Sequence, residues 1–221
     1  MSIELIILTF APSIIIALYI IYSDKFKEPI FPIIQIFFLG FLLALPAGYL
    51  NKIIIFQQHL SASWAGLTEE SLKYFILFFY VRRKGFFNEP MDAIVYGVLI
   101  SLGFASIENY SYIYTALNND NNEFHLAILR GLTTVPMHAL CGVVMGYFFG
   151  CANFIERKNN LAKALFIPMA IHATFNYFAE NGHILLTIIF LIIVLKYAKS
   201  LHNTFKVLQE NKTIEYEDKI Y

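Results

Sequence analysis

Seven separate apolar runs, near residues 2–22, 30–50, 62–81, 91–116, 126–150, 161–179 and 182–199, constrain this chain more than any other feature. A helix of about 20 residues, rising 1.5 Å per residue, spans a hydrocarbon core about 30 Å thick. Backbone amides in lipid are satisfied only inside helices or closed barrels. Continuous runs of this length predict helices, so the expected fold class is all-α, a polytopic membrane bundle of about seven transmembrane helices. Composition agrees, because 58% of the 221 residues are hydrophobic and only 14% are charged, well away from an ordinary soluble domain. The expected location is the cell membrane, as a multi-pass protein with the lipid bilayer as its surroundings and no nucleic-acid partner.

The ends and connections refine this picture. "MSIEL" offers a glutamate where the basic region of a signal peptide belongs, so the first run is expected to stay as a span. Lys25 and Lys27 follow the first run, Arg82, Arg83 and Lys84 the third, and Arg157, Lys158 and Lys163 the fifth. Lys196, Lys199, Lys206, Lys212 and Lys219 follow the seventh. The alternate connections carry Lys52, "NNDNNEF" and "ENGH". The positive-inside rule then places the N-terminus outside and the C-terminus in the cytoplasm. Residues 1–200 form one expected bundle, with the motif-bearing core at 60–180, and 201–221 form a cytoplasmic tail. Cys141 and Cys151 lack metal-type or redox spacing and are expected to be small apolar side chains.

Against this background "GLTEESLKYFILFFYV", residues 66–81, places Glu69, Glu70 and Lys73 inside a span. A charge at the centre of a span costs roughly 2.5–3.5 kcal/mol on insertion scales, and intramembrane ionisable groups are functional by default. With the orientation above, Glu69 and Glu70 fall about 10–12 Å below the outer end of the third span, Glu108 about 12 Å, His172 about 10 Å and His138 about 18 Å below theirs. Four spans thus bring two histidines and three carboxyls to one level. Glu69 and Lys73 are i, i+4 neighbours and Glu70 and Lys73 are i, i+3, so Lys73 can neutralise part of the carboxylate pair. His172 and Asn176 share a face, as do Arg130, Thr134 and His138. Gly142, Gly146 and Gly150 form a GxxxGxxxG face for close helix approach.

"EESLK", "FASIEN", "HALCG" and "HATFN" follow one another on successive spans as EExxK, FxxxEN, HxxxG and HxxxN. Together with "DAIVYGVLISLGFASIENY" they resemble the PrsW family of intramembrane proteases, itself similar to the CAAX-prenyl and bacteriocin-processing membrane proteases. The CAAX-type enzymes usually have a histidine where this chain has Glu108, which favours the PrsW branch. The resemblance implies a peptidase that cuts a membrane-anchored protein near the outer face. The implied substrate is an anti-sigma factor, in the first cleavage of an envelope stress response. Carried onto matching positions, the catalytic residues are Glu69, Glu70, Glu108, His138, His172 and Asn176, with Lys73, Asn109 and Arg130 in support.

Residue chemistry is compatible with this. Amide hydrolysis needs a base for water, donors for the oxyanion and an acid for the leaving amine. Glu69 or Glu70 can act as the base, the histidines can donate to the oxyanion or bind a metal, and no Ser or Cys stands beside a base. HExxH is absent, but two histidines and a carboxylate satisfy a catalytic zinc, the ligands being His138, His172 and Glu108 or Glu69. Each residue also has a structural reading: Glu69 or Glu70 as an ion-pair partner of Lys73 or Arg130, His138 as an interhelical histidine, Asp92 as a helix cap and Arg130 as an interfacial anchor. Two further classes bury similar groups. An ion- or proton-coupled transporter should show paired halves with interrupted helices, and a non-enzymatic membrane scaffold should tolerate loss of the carboxylates.

Overall fold

The computed structural model describes residues 1–56, 60–119, 122–156 and 158–217. Asp120 and Asn121 of the "NNDNNEF" connection, Arg157 and Lys219 lie outside the described residues. Eight helices follow in order: α1 (Ile3–Ser23), α2 (Ile30–Asn51), α3 (Ala65–Phe79), α4 (Pro90–Asn118), α5 (Glu123–Leu132), α6 (Thr134–Gly150), α7 (Asn160–Glu180) and α8 (Ile184–Glu217). π-helical turns extend α2 through Lys52–Phe56 and α6 through Cys151–Ile155, and a 3-10 turn, Ala62–Trp64, leads into α3. The described residues contain no strand.

Five segments are long and apolar enough to cross a membrane: Ile3–Ser23, Ile30–Ile55, Pro90–Asn118, Glu123–Ile155 and Ile184–Lys212. The other two expected spans are α3 and α7, the helices that carry Glu69, Glu70, Lys73, His172 and Asn176. The polar residues that mark the candidate site lower their apolar character, and α3, with 15 residues, is only about 22 Å long. Both are packed into the bundle, α3 on α7 and α2, and α7 on α6.

Two helices form the centre. The most apolar window of α4 is 94% buried and that of α5–α6 is 89% buried, whereas those of α1, α2 and α8 are 28%, 22% and 17% buried. The outer three expose Ile7, Ile15, Leu45, Ile184 and Ile193 among others, as lipid-facing helices do. Small residues allow the centre to close. A Cβ on Gly146 of α6 would lie 2.3 Å from the Ala93 carbonyl oxygen of α4, so the GxxxGxxxG face is where α6 meets α4. The reciprocal approach on the other side of α4 uses Gly103 against Phe37 of α2 and Gly40 against Ile100. Cys141 and Cys151 are buried free thiols.

The run expected as a single helix over 126–150 is broken at Thr133 (φ −123°, ψ −63°), where α5 ends and α6 begins. Pro136 supplies the physical reason. It has no N–H to donate to Leu132 and restricts the residue before it, so it is accommodated in the first turn of a new helix. Asp92 does cap α4, its Oδ2 accepting from the backbone N–H of Asn88 (2.7 Å) and Glu89 (2.9 Å). No break marks residue 200, because α8 runs on through the expected tail to Glu217.

Candidate active site

Glu69, Glu70 and Lys73 occupy successive turns of α3 and are all buried. Lys73 pairs with Glu70 rather than Glu69: its Nζ donates to Glu70 Oε1 at 2.6 Å, with both side chains fully buried. The i, i+4 partner expected for Glu69 is therefore not the one it has. Asn51, at the end of α2, donates through Nδ2 to Glu69 Oε1 at 2.9 Å, and Thr68 donates to Asn51 Oδ1. Glu69 Oε2 is buried without a hydrogen-bond partner.

The histidines from α6 and α7 close on these carboxylates. His172 Nδ1 is 2.9 Å from Glu70 Oε1, and its Nε2 is 3.9 Å from Glu69 Oε2. His138 Nδ1 is 3.1 Å from Lys73 Nζ, and its Nε2 is 2.8 Å from Glu108 Oε2. The two rings stand edge to face with centroids 5.0 Å apart. Donor chemistry fixes the tautomers. An ammonium has no acceptor, so His138 Nδ1 accepts from Lys73 and its Nε2–H donates to Glu108. Glu70 as a carboxylate only accepts, so the His172 proton is on Nδ1 and the Nε2 lone pair faces Glu69.

Arg130 of α5 lies across from this array, with one Nη 3.2 Å from Glu108 Oε2 and its Nε donating to Asn109 Oδ1 at 3.0 Å. Its guanidinium stacks 4.0 Å from the Tyr112 ring. Asn109 Nδ2 donates to the Thr9 carbonyl at 2.9 Å, which bolts α4 to α1. The break at Thr133 permits Arg130 and His138 to reach one carboxylate from two different helices. Asn176, expected beside His172, instead donates to the Ala62 carbonyl at 3.2 Å and, with Glu180 accepting from Ser61 (2.6 Å), clips the segment before α3 to α7.

A cavity of about 470 Å³ opens among these groups, and Asn51, Glu69, Glu108, Arg130, His172 and Asn176 all contribute to its walls. Glu70, Lys73 and His138 stand behind the walls. One ligand atom each of Glu69, His138 and His172 lies within 4.8 Å of the others, all three residues being buried. Of the two carboxylates named from the sequence as alternative ligands, Glu69 and not Glu108 belongs to this group. The donors fit a divalent ion. Glu69 Oε2 is unengaged, the His172 lone pair is oriented by a carboxylate on the opposite nitrogen as metal-bound imidazoles usually are, and His138 would join through Nε2 with its proton moved to Nδ1 and its present bonds to Lys73 and Glu108 given up.

The sequence of residues 28–198 matches the model of the PrsW family intramembrane metalloproteases. The chain belongs to that family. Among its relatives, Protease PrsW of Oceanobacillus iheyensis is 35% identical over 77% of this chain and 80% of the relative. Protease PrsW of Bacillus subtilis is 33% identical over 76% and 78%, and that of Clostridioides difficile is 30% identical over 89% of each. No solved structure matches. The chain is accordingly a membrane-embedded endopeptidase of the PrsW type, a multi-pass protein of the cell membrane.

Asn51 is the site residue that sequence reasoning did not find. It ends an uninterrupted apolar span and belongs to none of the four motifs, so only its packing against α3 reveals it.

Proposed function

We propose that the chain cleaves a single-span membrane protein near the outer membrane face, that the substrate is an anti-sigma factor, and that Glu69 activates the attacking water. The observation that carries the chemistry is the convergence of Glu69, His138 and His172 from α3, α6 and α7 on one another, with Glu69 and His172 lining a cavity. The anti-sigma factor rests on the family resemblance, in which the first cut of a stress-response cascade is the associated activity.

Glu69 is a better base than Glu70. Both carboxylates leave Oε2 without a hydrogen-bond partner, but Glu70 stands behind the cavity wall with Oε1 held by Lys73 and His172, whereas Glu69 lines the cavity with Oε1 steadied by Asn51. Water bound at Oε2 gives up its proton there as it attacks the scissile carbonyl, and Glu69 returns that proton to the leaving amine as the C–N bond breaks. His172 is oriented through Nδ1 by Glu70 and His138 by Lys73 and Glu108, and a proton on His172 Nε2 would let that ring donate to the oxyanion. Arg130 holds Glu108, and Asn176 positions the mouth of the cavity through Ala62. Glu69, His138 and His172 would hold a divalent metal. Two imidazoles and a carboxylate suit zinc, which when bound supplies Lewis acidity and a water acidified to about pKa 7.

Co-reconstitution in liposomes with candidate single-span substrates, read as a size shift, tests the reading. Wild-type protein should produce a shortened fragment and Glu69→Gln should not. Equal cleavage by the two would reject Glu69 as the activator, and proton flux with no cleavage of any single-span protein would point to a transporter.

A further inference from the structure

A second buried polar cluster lies about 24 Å from the first along α4, at 1.5 Å per residue. The loop between α1 and α2 supplies Asp24 and Glu28, the start of α4 supplies Glu89 and Asp92, and α8 supplies Gln209. Asp24, Glu89 and Asp92 are 2%, 6% and 0% exposed. One carboxylate oxygen each of Asp24, Glu28 and Asp92 lies within 4.8 Å of the others.

The hydrogen bonds account for only part of these groups. Gln209 Nε2 donates to Asp24 Oδ1 at 2.7 Å and to Glu89 Oε1. Asp24 Oδ1 also accepts from the Phe26 N–H at 3.1 Å. The Tyr96 hydroxyl donates to Glu28, and the capping bonds of α4 use Asp92 Oδ2. Asp24 Oδ2 and Asp92 Oδ1 are buried with no N–H or hydroxyl donor on them, and Glu28 and Asp92 lie close enough to share a proton between their carboxyls. The nearby cations do not fill the gap. Lys27 directs its Nζ to the carbonyls of Ile21, Tyr22 and Asp24, and Lys212 reaches Glu89 only as a longer-range attraction. Among the described residues no Lys or Arg forms an ion pair with any of these four carboxylates.

Buried carboxylates in mutual contact require a counter-charge or protons. A helix cap explains one oxygen of Asp92 and a tail clamp explains one of Asp24. Neither explains why three carboxylates from two segments converge with two oxygens left over. We propose that Asp24, Glu28 and Asp92 form a second metal site, for a hard divalent cation such as Mg2+ or Ca2+, distinct from the candidate active site. All three donors are carboxylates, which suit such a cation rather than zinc. The ion would tie the α1–α2 loop to α4, and Gln209, which bridges Asp24 and Glu89, would carry that link to the far end of α8.

Full-length protein in neutral phosphatidylcholine nanodiscs can be titrated with Tb3+, a probe of oxygen-ligand sites whose emission is sensitised by nearby tyrosine such as Tyr96. One saturable site displaced by Ca2+ or Mg2+ is expected, and the ion that displaces at lower concentration identifies the preferred one. Asp24→Asn and Asp92→Asn should each weaken binding at least about tenfold, and Glu28→Gln at the half-buried position gives the same test where either fails to fold. Glu69→Gln should leave this binding unchanged, which separates it from the candidate active site. Absence of saturable binding, or binding that all three cluster variants leave intact, overturns the proposal and leaves the cluster holding protons.

Discussion

Glu69 and Glu70 are sequence neighbours on α3, yet one lines a cavity and the other stands behind its wall, bonded to a lysine and a histidine. Substitutions should separate them. Glu69→Gln keeps the size of the side chain and its contact with Asn51, so the protein should accumulate and melt normally while cleavage falls roughly 100-fold to 10,000-fold. Glu70→Gln leaves Lys73 as a buried charge without its partner, and losing one side of a buried pair costs about 3–5 kcal/mol. Its melting temperature in detergent should therefore drop sharply together with activity. Asn51→Ala belongs between these. It should lower kcat about 10-fold to 100-fold, the usual cost of losing a group that orients an active-site ligand, with little change in melting. Wild-type kcat in Asn51→Ala would show that Glu69 does not depend on it.

At the scale of elements, α4 is the pillar on which the site is hung, and its closeness to α2 depends on glycine. A Cβ at Gly103 would fall 2.0 Å from the Phe37 carbonyl oxygen, so Gly103→Ala should destabilise the protein by about 1–3 kcal/mol, whereas Gly48→Ala, with nothing within 4 Å, should leave the melting temperature nearly unchanged. Equal melting of the two variants would mean that α2 and α4 are not this close. The α6 counterpart of this contact was legible in the sequence, because three glycines spaced by four announce a face. Gly40 and Gly103 were not, since single glycines on two separate helices carry no period. The α5–α6 break was signalled only by Pro136, which can open the backbone within an otherwise continuous apolar run, and it is what brings Arg130 and His138 to the same carboxylate. The motif residues themselves were legible, because ionisable groups in apolar runs are costly and stand out. Their pairing was not, because helical spacing alone left Lys73 equally able to serve Glu69 or Glu70.

For the whole molecule, we propose from the charge pattern of the connections an orientation with the N-terminus outside and the candidate site opening toward that side. A cysteine introduced as Asn122→Cys should then react with an impermeant thiol reagent on intact cells, and Lys84→Cys should not. The reverse pattern would move the site to the cytoplasmic half and remove the case for an extracytoplasmic cut.

We propose that Glu69, His138 and His172 together form a metal-holding peptidase centre, and cleavage of a reconstituted single-span substrate by chelator-stripped protein is the measurement that decides it. Activity should vanish on stripping and return with about one equivalent of zinc per chain, the stoichiometry of a single three-ligand site. Full activity in protein shown to be free of metal would contradict the claim.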